Sequence, residues 1–542
     1  MNFRIIISFI LIFSTYTGSY SQTKNSNEKM PKLVVGIVID QMRYEYINRF
    51  WSKYGDDGFK KLINSGFNCK NTHYNYIPTY TGPGHASIYT GTTPSMHGII
   101  GNNWYDRDLS KLIYCTENID NPIEKDNMGP GNMLTTTITD ELRIFSNFRA
   151  KVIGISLKDR GAILPAGHSA TAAYWIDKKS ANWITSPYYM KDIPEWVNNF
   201  NLKKTAQKYL SQNWSTILPI EDYYESAPDK NKYEKAYTEK GDVIFPYNLN
   251  EISKEIGLGL IASTPFGNDL TKDFAIEAIK QENLGKNGQT DFITISFSSP
   301  DYIGHQFGPQ SIEIEDTYLR LDKTLAELIS FIESQLGKQE SLFFITADHG
   351  CANNPAFMND HKIKGGYFDS KKMINSINKI LNDDYGSNQL ILNYSNEQIF
   401  LNKKLIAEMK INLGEVQEKI SEICLKSKGV ANAISARWIE ANSYTEKPIS
   451  LIQKGYNKKR SGDIILILEP GWMDYNETGT THGAMYTYDT HVPLLWYGWK
   501  IKQGYTAEAI NITDIAPTIS TLIGIPFPNG CIGKSIEEII SQ

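Results

Sequence analysis

The chain has 542 residues, is 41% hydrophobic and 21% charged, and carries a formal net charge of -5 from 55 Lys plus Arg against 60 Asp plus Glu. This is the composition of a globular protein with ample material for a large core. No basic run stands out, which argues against nucleic acid or an anionic membrane surface as a partner.

The N-terminus reads MNFRIIISFILIFSTYTGSYSQ, with Arg4 ahead of a mostly apolar run from Ile5 to Phe13 and small residues at Ser19 and Ser21. That pattern is a secretory signal peptide over residues 1–21, and the run is shorter than the ~20 apolar residues that span a bilayer. The expectation is an exported protein, periplasmic or secreted, without stable membrane insertion. The five Cys (69, 115, 351, 424 and 531) include no CxxC knuckle. Cys69 and Cys115 are candidates for a bridge in an oxidising compartment, which sequence alone does not establish.

KLVVGIVIDQMR follows, a short β-branched run, Leu33 to Ile39, that ends in Asp40. It predicts a strand buried on both faces. Similar runs are KVIGISL (151–157), DFITISF (291–297), LFFITAD (342–348), DIILIL (463–468) and VPLLWYG (492–498). FAIEAIK and YLRLDKTLAELISFIESQL carry helical spacing, the latter with a stripe of Leu319, Leu321, Leu325, Leu328 and Ile329. Strands alternating with helices predict an α/β fold: a mostly parallel central sheet with helices on both faces. Two stretches break the rhythm: residues ~166–250, rich in Trp and Tyr, and ~360–460, with the amphipathic MINSINKIL and VQEKISEICL around QLILNYSNEQIFLN. Both read as insertions on the active-site edge of one catalytic domain over 22–542. Clustered Trp and Tyr predict a packed satellite core before they predict a roof over a site.

Asp40, Asp301 and Asp348 each stand at or just beyond the end of a predicted buried strand, and His305 and His349 follow two of them closely. Ligands of an open parallel sheet bind outside the carboxyl ends of its strands. Three carboxylates brought there would repel, and divalent cations relieve the conflict. The i, i+4 spacing of Asp301 and His305 puts both on one helix face. His482 lies in the Gly-flanked TTHGAM. Mixed imidazole and carboxylate ligands suit zinc.

In IPTYTGPGHASIYTG (77–91), Gly82, Pro83 and Gly84 read as a turn feeding a helix from His85. A hydroxyl at a helix N-terminus beside a metal is a competent nucleophile toward a phosphoryl group. Position alone leaves Thr79, Thr81 and Ser87 equivalent.

Asp40, T81-G-P-G-H85, HGIIGNN (97–103), D301-Y-I-G-H305, D348-H349-G and T-H482-G, in this order, resemble the alkaline phosphatase superfamily over nearly the whole mature chain. The resemblance is to its two-zinc, Thr-nucleophile branch. It implies Thr81 as nucleophile, one metal held by Asp301, His305 and His482, and a second by Asp40, Asp348 and His349 with Thr81 facing it. Asn102 resembles the residue that hydrogen-bonds a phosphoryl oxygen in nucleotide pyrophosphatase/phosphodiesterases. Lys158 and Arg160, in SLKDRGAILPAGH, resemble the pair that clamps phosphate in the flavobacterial PafA-type alkaline phosphatases. A monoester carries the extra negative charge that such a pair compensates. No clear equivalent of the magnesium site of Ser-nucleophile phosphatases is visible, which puts Mg2+ in doubt and leaves two Zn2+ per chain as the expected cofactors. The C/S-x-P-x-R element of sulfatases is missing.

The expectation is a monomeric hydrolase of small-molecule phosphate monoesters acting through a phosphothreonine. A phosphodiesterase or nucleotide pyrophosphatase is the alternative, and a non-catalytic metal and phosphate binder the third reading.

Overall fold

A computed structural model describes residues 30–118 and 127–541; the signal-peptide segment 1–21 lies outside them. Residues 31–542 form one compact unit. Its centre is a nine-stranded sheet in the order Gly504–Thr506, Phe67–Cys69, Leu494–Gly498, Ser341–Thr346, Leu33–Ile39, Asp291–Phe297, Val152–Ser156, Ala172–Ile176, Trp183–Ile184. The five strands from Ser341–Thr346 to Ala172–Ile176 run parallel, in unbroken register across the centre. All residues of the three middle strands are buried, as β-branched runs without polar alternation require.

The outer strands depart from that pattern. Leu494–Gly498 runs antiparallel to its neighbours on both sides, and Trp183–Ile184 is antiparallel to Ala172–Ile176. The DIILIL run is a correction. Ile464–Leu468 is not in the main sheet; it pairs antiparallel with Gln398–Leu401 and Val430–Ser435 in a separate four-stranded sheet. A short apolar run signals a buried strand but carries no information about which sheet buries it.

That second sheet, with helices Ser370–Tyr385 and Leu413–Leu425, surrounds a core of its own that includes Ile377, Leu381, Ile399, Val416, Ile420 and Leu466. The stretch from 166 begins with the last two strands of the main sheet, of which Trp183–Ile184 forms the edge. Its aromatic residues pack inward: Trp183 stacks on Phe274 at 4.1 Å, and the buried Trp214 donates its indole N–H to Asp316 at 2.7 Å.

The long helix Ile312–Leu336 buries the Leu319, Leu321, Leu325, Leu328 and Ile329 stripe and packs on helices Phe266–Gln281 and Ser299–Phe307. Its N-terminus is capped by Ser311, whose hydroxyl accepts from the Ile314 N–H. The five cysteines are free thiols, so Cys69 and Cys115 are unpaired.

The buried Asp140 ties helix Ile138–Phe145 to the loop after Ala166. Its carboxylate accepts from Thr137, from Ser169 and from His168 Nδ1 at 3.1 Å. Burial opposes ionisation of Asp140, and the bonds from His168, Ser169 and Thr137 overcome it, bringing the carboxyl down to about 2. Burial likewise opposes the charged His168, and Asp140 more than offsets it, raising the imidazole above its ordinary value. The Asp140 contribution to stability is therefore present above about pH 4 and lost as pH falls toward about 2. The His168 contribution is full below about pH 6.5 and lost as pH rises through its raised value. Asp140→Ala is expected to cost about 3 kcal/mol at pH 6, and less at pH 9, by urea unfolding.

Candidate active site

The carboxyl ends of the central strands deliver the chemistry-bearing residues to one edge. Asp40 follows Leu33–Ile39, Asp348 and His349 follow Ser341–Thr346, and Lys158 follows Val152–Ser156 and precedes helix Asp159–Ala166. Asp301 and His305 share helix Ser299–Phe307, one turn apart, with His305 Nε2 3.1 Å from Asp301 Oδ1. His482 arrives from a loop far along the chain.

These residues form two trios, Asp301, His305, His482 and Asp40, Asp348, His349, the ligand atoms of each lying within 4.8 Å of one another. The trios adjoin through the His349 and His482 rings, stacked at 3.5 Å. The histidine tautomers are fixed by backbone. His305 Nδ1 donates to the Thr480 carbonyl at 2.8 Å, His349 Nδ1 to Gly350 at 2.9 Å, and His482 Nδ1 to Thr79 at 2.8 Å. A carbonyl can only accept, so in the neutral ring each Nε2 carries the lone pair; burial favours that form at His349 and His482, while Asp301 raises His305 against burial. His349 Nε2 lies 3.6 Å from Asp40 Oδ1 and 3.5 Å from Asp348 Oδ2, and His482 Nε2 lies 3.6 Å from Asp301 Oδ1. Asp40 Oδ1 and Asp348 Oδ2 are buried and accept no hydrogen bond. Orphaned carboxylate oxygens beside imidazoles whose Nδ1 is held by backbone are the donor set of a divalent metal, and these residues fit one.

The electrostatics agree. Burial raises the carboxyls of Asp40 and Asp348; at Asp40 the Lys158 charge opposes it and Asp301 adds to it, and at Asp348 repulsion from Asp40 carries the carboxyl well above the ordinary range. Burial also acts on Asp301, but His305 and Lys158 outweigh it and hold that carboxyl well below the ordinary range. Burial pushes His349 down to about 3.

Thr81 is the first residue of helix Thr81–Thr90, which is buried along its whole length. The Gly82-Pro83-Gly84 turn expected ahead of the helix is instead its first turn, and the helix starts four residues before His85. Pro is tolerated there because the first N–H groups have no intrahelical partner to lose. Gly84 is required for a different reason: a Cβ would lie 2.4 Å from the Asp348 carbonyl oxygen.

The three candidate hydroxyls now separate. Thr79 donates to the Ala484 carbonyl, Ser87 pairs with His97, and the Thr81 hydroxyl stands 3.5 Å from His349 Nε2 beside the second trio. Asn102 Oδ1 accepts from the Gly82 N–H at 2.8 Å, fixing its amide beside Thr81.

The buried Lys158 reaches between the trios. Its ammonium donates to Asp40 Oδ2 at 2.6 Å and Asp301 Oδ2 at 2.5 Å, and lies 5.0 Å from the Tyr302 ring centre. Arg160 donates to the Tyr114 hydroxyl at 3.0 Å, which in turn donates to Asp159 at 2.6 Å. The two trios, Thr81 and Lys158 thus lie together at one edge of the sheet, Asn102 adjoins Thr81 through Gly82, and Arg160 is held through Tyr114.

Gln41 was missed. Its side-chain amide donates to Asp301 Oδ1 at 2.6 Å and its backbone N–H to Asp348 Oδ1 at 3.1 Å, linking the trios. The backbone turns through φ 66° to do so, and Gly304 makes room: a Cβ there would lie 1.9 Å from Gln41 Oε1. The Gly inside D-Y-I-G-H was the available signal.

Residues 34–492 match the profile of the type I phosphodiesterase/nucleotide pyrophosphatase family. The chain belongs to that family. It is 43% identical over 537 residues to alkaline phosphatase PafA of Elizabethkingia meningoseptica, covering 97% of each chain. The crystal structure of wild-type alkaline phosphatase PafA superposes with a TM-score of 0.90, covering 94% of this chain and 99% of that one at 43% identity. At that identity and coverage the chain belongs with the PafA-type alkaline phosphatases. It is also 43% identical over 553 residues to a Myroides odoratus protein named calcium-transporting ATPase, spanning 100% of both. Among the described residues here, no helix is long and apolar enough to cross a membrane.

The orphaned carboxylates generate a stability prediction. Exhaustive chelation is expected to lower Tm by about 5 °C or more, with recovery on adding back zinc, in a thermal melt. An unchanged Tm after verified metal removal would show that the trios are satisfied without an ion.

Proposed function

We propose that the chain is a phosphate monoester hydrolase, an alkaline phosphatase whose nucleophile is Thr81. The observation that carries this is the Thr81 hydroxyl at a helix N-terminus, whose contact is His349 Nε2 of the second trio, near a buried Lys158, while its two rivals are bonded away from the trios. Asp301, His305 and His482 would hold one zinc ion and Asp40, Asp348 and His349 the other, with Thr81 facing the second. Zinc there supplies Lewis-acid stabilisation of the attacking and leaving oxygens.

The chain's own groups do the rest. The positive end of the helix dipole favours an anionic phosphoryl group at Thr81. Asn102 orients one non-bridging oxygen, and Lys158 and Arg160 compensate the additional charge of a monoester. Thr81 Oγ attacks phosphorus in line and displaces the alcohol, forming a phosphothreonine. Water then cleaves the Thr81 ester and releases inorganic phosphate. The substrate is a small phosphate monoester, the enzyme acts as an exported monomer after removal of residues 1–21, and residues 22–542 form its catalytic domain.

Thr81→Ala is expected to lower turnover at least ~1000-fold while zinc content is retained. Full activity in that variant would sink the assignment. The family profile favours one competing reading, phosphodiester hydrolysis. Joint Lys158→Ala and Arg160→Ala substitution should reduce kcat/KM for a monoester at least ~10-fold more than for a diester with the same leaving group. Equal losses, measured at equal zinc content, would transfer the assignment to the diesterase.

A further inference from the structure

The insertion sends one two-residue turn into the site. Between strands Ile391–Ser395 and Gln398–Leu401 the chain reverses through Asn396 and Glu397, at φ 53° and 55°. Such a hairpin turn prefers Asn followed by Gly. Asn396 meets that preference, whereas Glu397 places a side chain where the backbone favours none. An observed backbone outlier calls for a functional reason, and the contacts supply one.

Glu397 Oε2 accepts from the Tyr80 hydroxyl at 2.8 Å, and Tyr80 is the residue immediately before Thr81. The Tyr80 ring stands edge-on to His482, at 5.4 Å and 73°. Asn396 Nδ2 donates to the Asn103 carbonyl at 2.6 Å, immediately after Asn102. A Cβ on Gly101 would come within 2.6 Å of that Nδ2, so Gly101 lets the tip approach. The tip is itself anchored, since the Leu466 N–H donates to the Glu397 carbonyl at 2.7 Å.

We propose that Glu397, with Asn396, is a positioning residue: the turn of the insertion holds Tyr80 and the 101–103 loop, and through them sets Thr81 and Asn102 against the reacting phosphoryl group. This rests on the assignment of Thr81 as nucleophile. It gives the insertion a part in the reaction although neither side chain touches the trios.

The test uses the zinc-loaded, full-length mature enzyme. Glu397→Gly supplies the residue the turn prefers, so Tm is expected to hold within about 2 °C. It removes the anchor of Tyr80, so kcat for a monoester should fall about 10- to 100-fold with KM changed less than about twofold. Tyr80→Phe should reproduce the loss, and Glu397→Gly with Tyr80→Phe should be no worse than either alone. Glu397→Gln keeps an acceptor and should restore turnover. Amide exchange over residues 81–85 should rise in Glu397→Gly. Wild-type kcat in Glu397→Gly, with Thr81→Ala inactive, overturns the positioning role and leaves the nucleophile standing. Active Thr81→Ala overturns both. A kcat loss matched by a fall in Tm, with Glu397→Gln equally impaired, reduces Glu397 to structural support and also overturns the proposal.

Discussion

Three carboxylates are buried at one edge of one sheet, and the surrounding structure is organised by that charge. Moving a carboxylate out of water costs several kcal/mol unless it is paired. Asp40, Asp301 and Asp348 are almost wholly buried, and two of their oxygens have no hydrogen-bond partner. The site meets the cost with directed groups. Lys158 reaches two carboxylates, Gln41 ties the third to Asp301, and three backbone carbonyls hold the imidazoles with Nε2 turned inward. A cation-binding centre and the cradle for an anionic substrate are consequences of the same concentration of charge.

Much of this was legible because the parallel sheet imposes a rule. Strands buried on both faces announce themselves as apolar runs, and their carboxyl ends converge, so Asp40, Asp301 and Asp348 could be placed together before any geometry was known. The His partners followed from local spacing, except His482, which only the resemblance attached to the right trio. Three things were hidden. The left-handed backbone at Gln41 has no signature in D-Q-M. The helix start was set four residues late because G-P-G is a turn signal, and the burial that overrides it is tertiary. Ile464–Leu468 reads like any core strand, and its allegiance to the second sheet depends on partners some 30 and 65 residues upstream.

The two irregular stretches divide differently from their compositions. The aromatic one mostly builds packing: Trp183 covers Phe274, and Trp214 is buried with its N–H on Asp316. The polar, amphipathic one has a core of its own yet reaches Tyr80, at the start of helix Thr81–Thr90, through its hairpin tip. Richness in aromatic residues marks where surface is buried, and a charged tip marks where an element makes contact beyond itself.

The position of His482 has a consequence in time. One trio combines residues 301 and 305 with a residue 177 positions later, and the whole second sheet is strung between them. Contacts of such long sequence separation are late and slow to form. A chain emerging from the ribosome or an export channel can complete the Asp40, Asp348 and His349 set first, and cannot complete the other until nearly nine-tenths of its length is available. The Asp301, His305 and His482 trio is thereby deferred to the end of folding, because its last member lies beyond the whole second sheet.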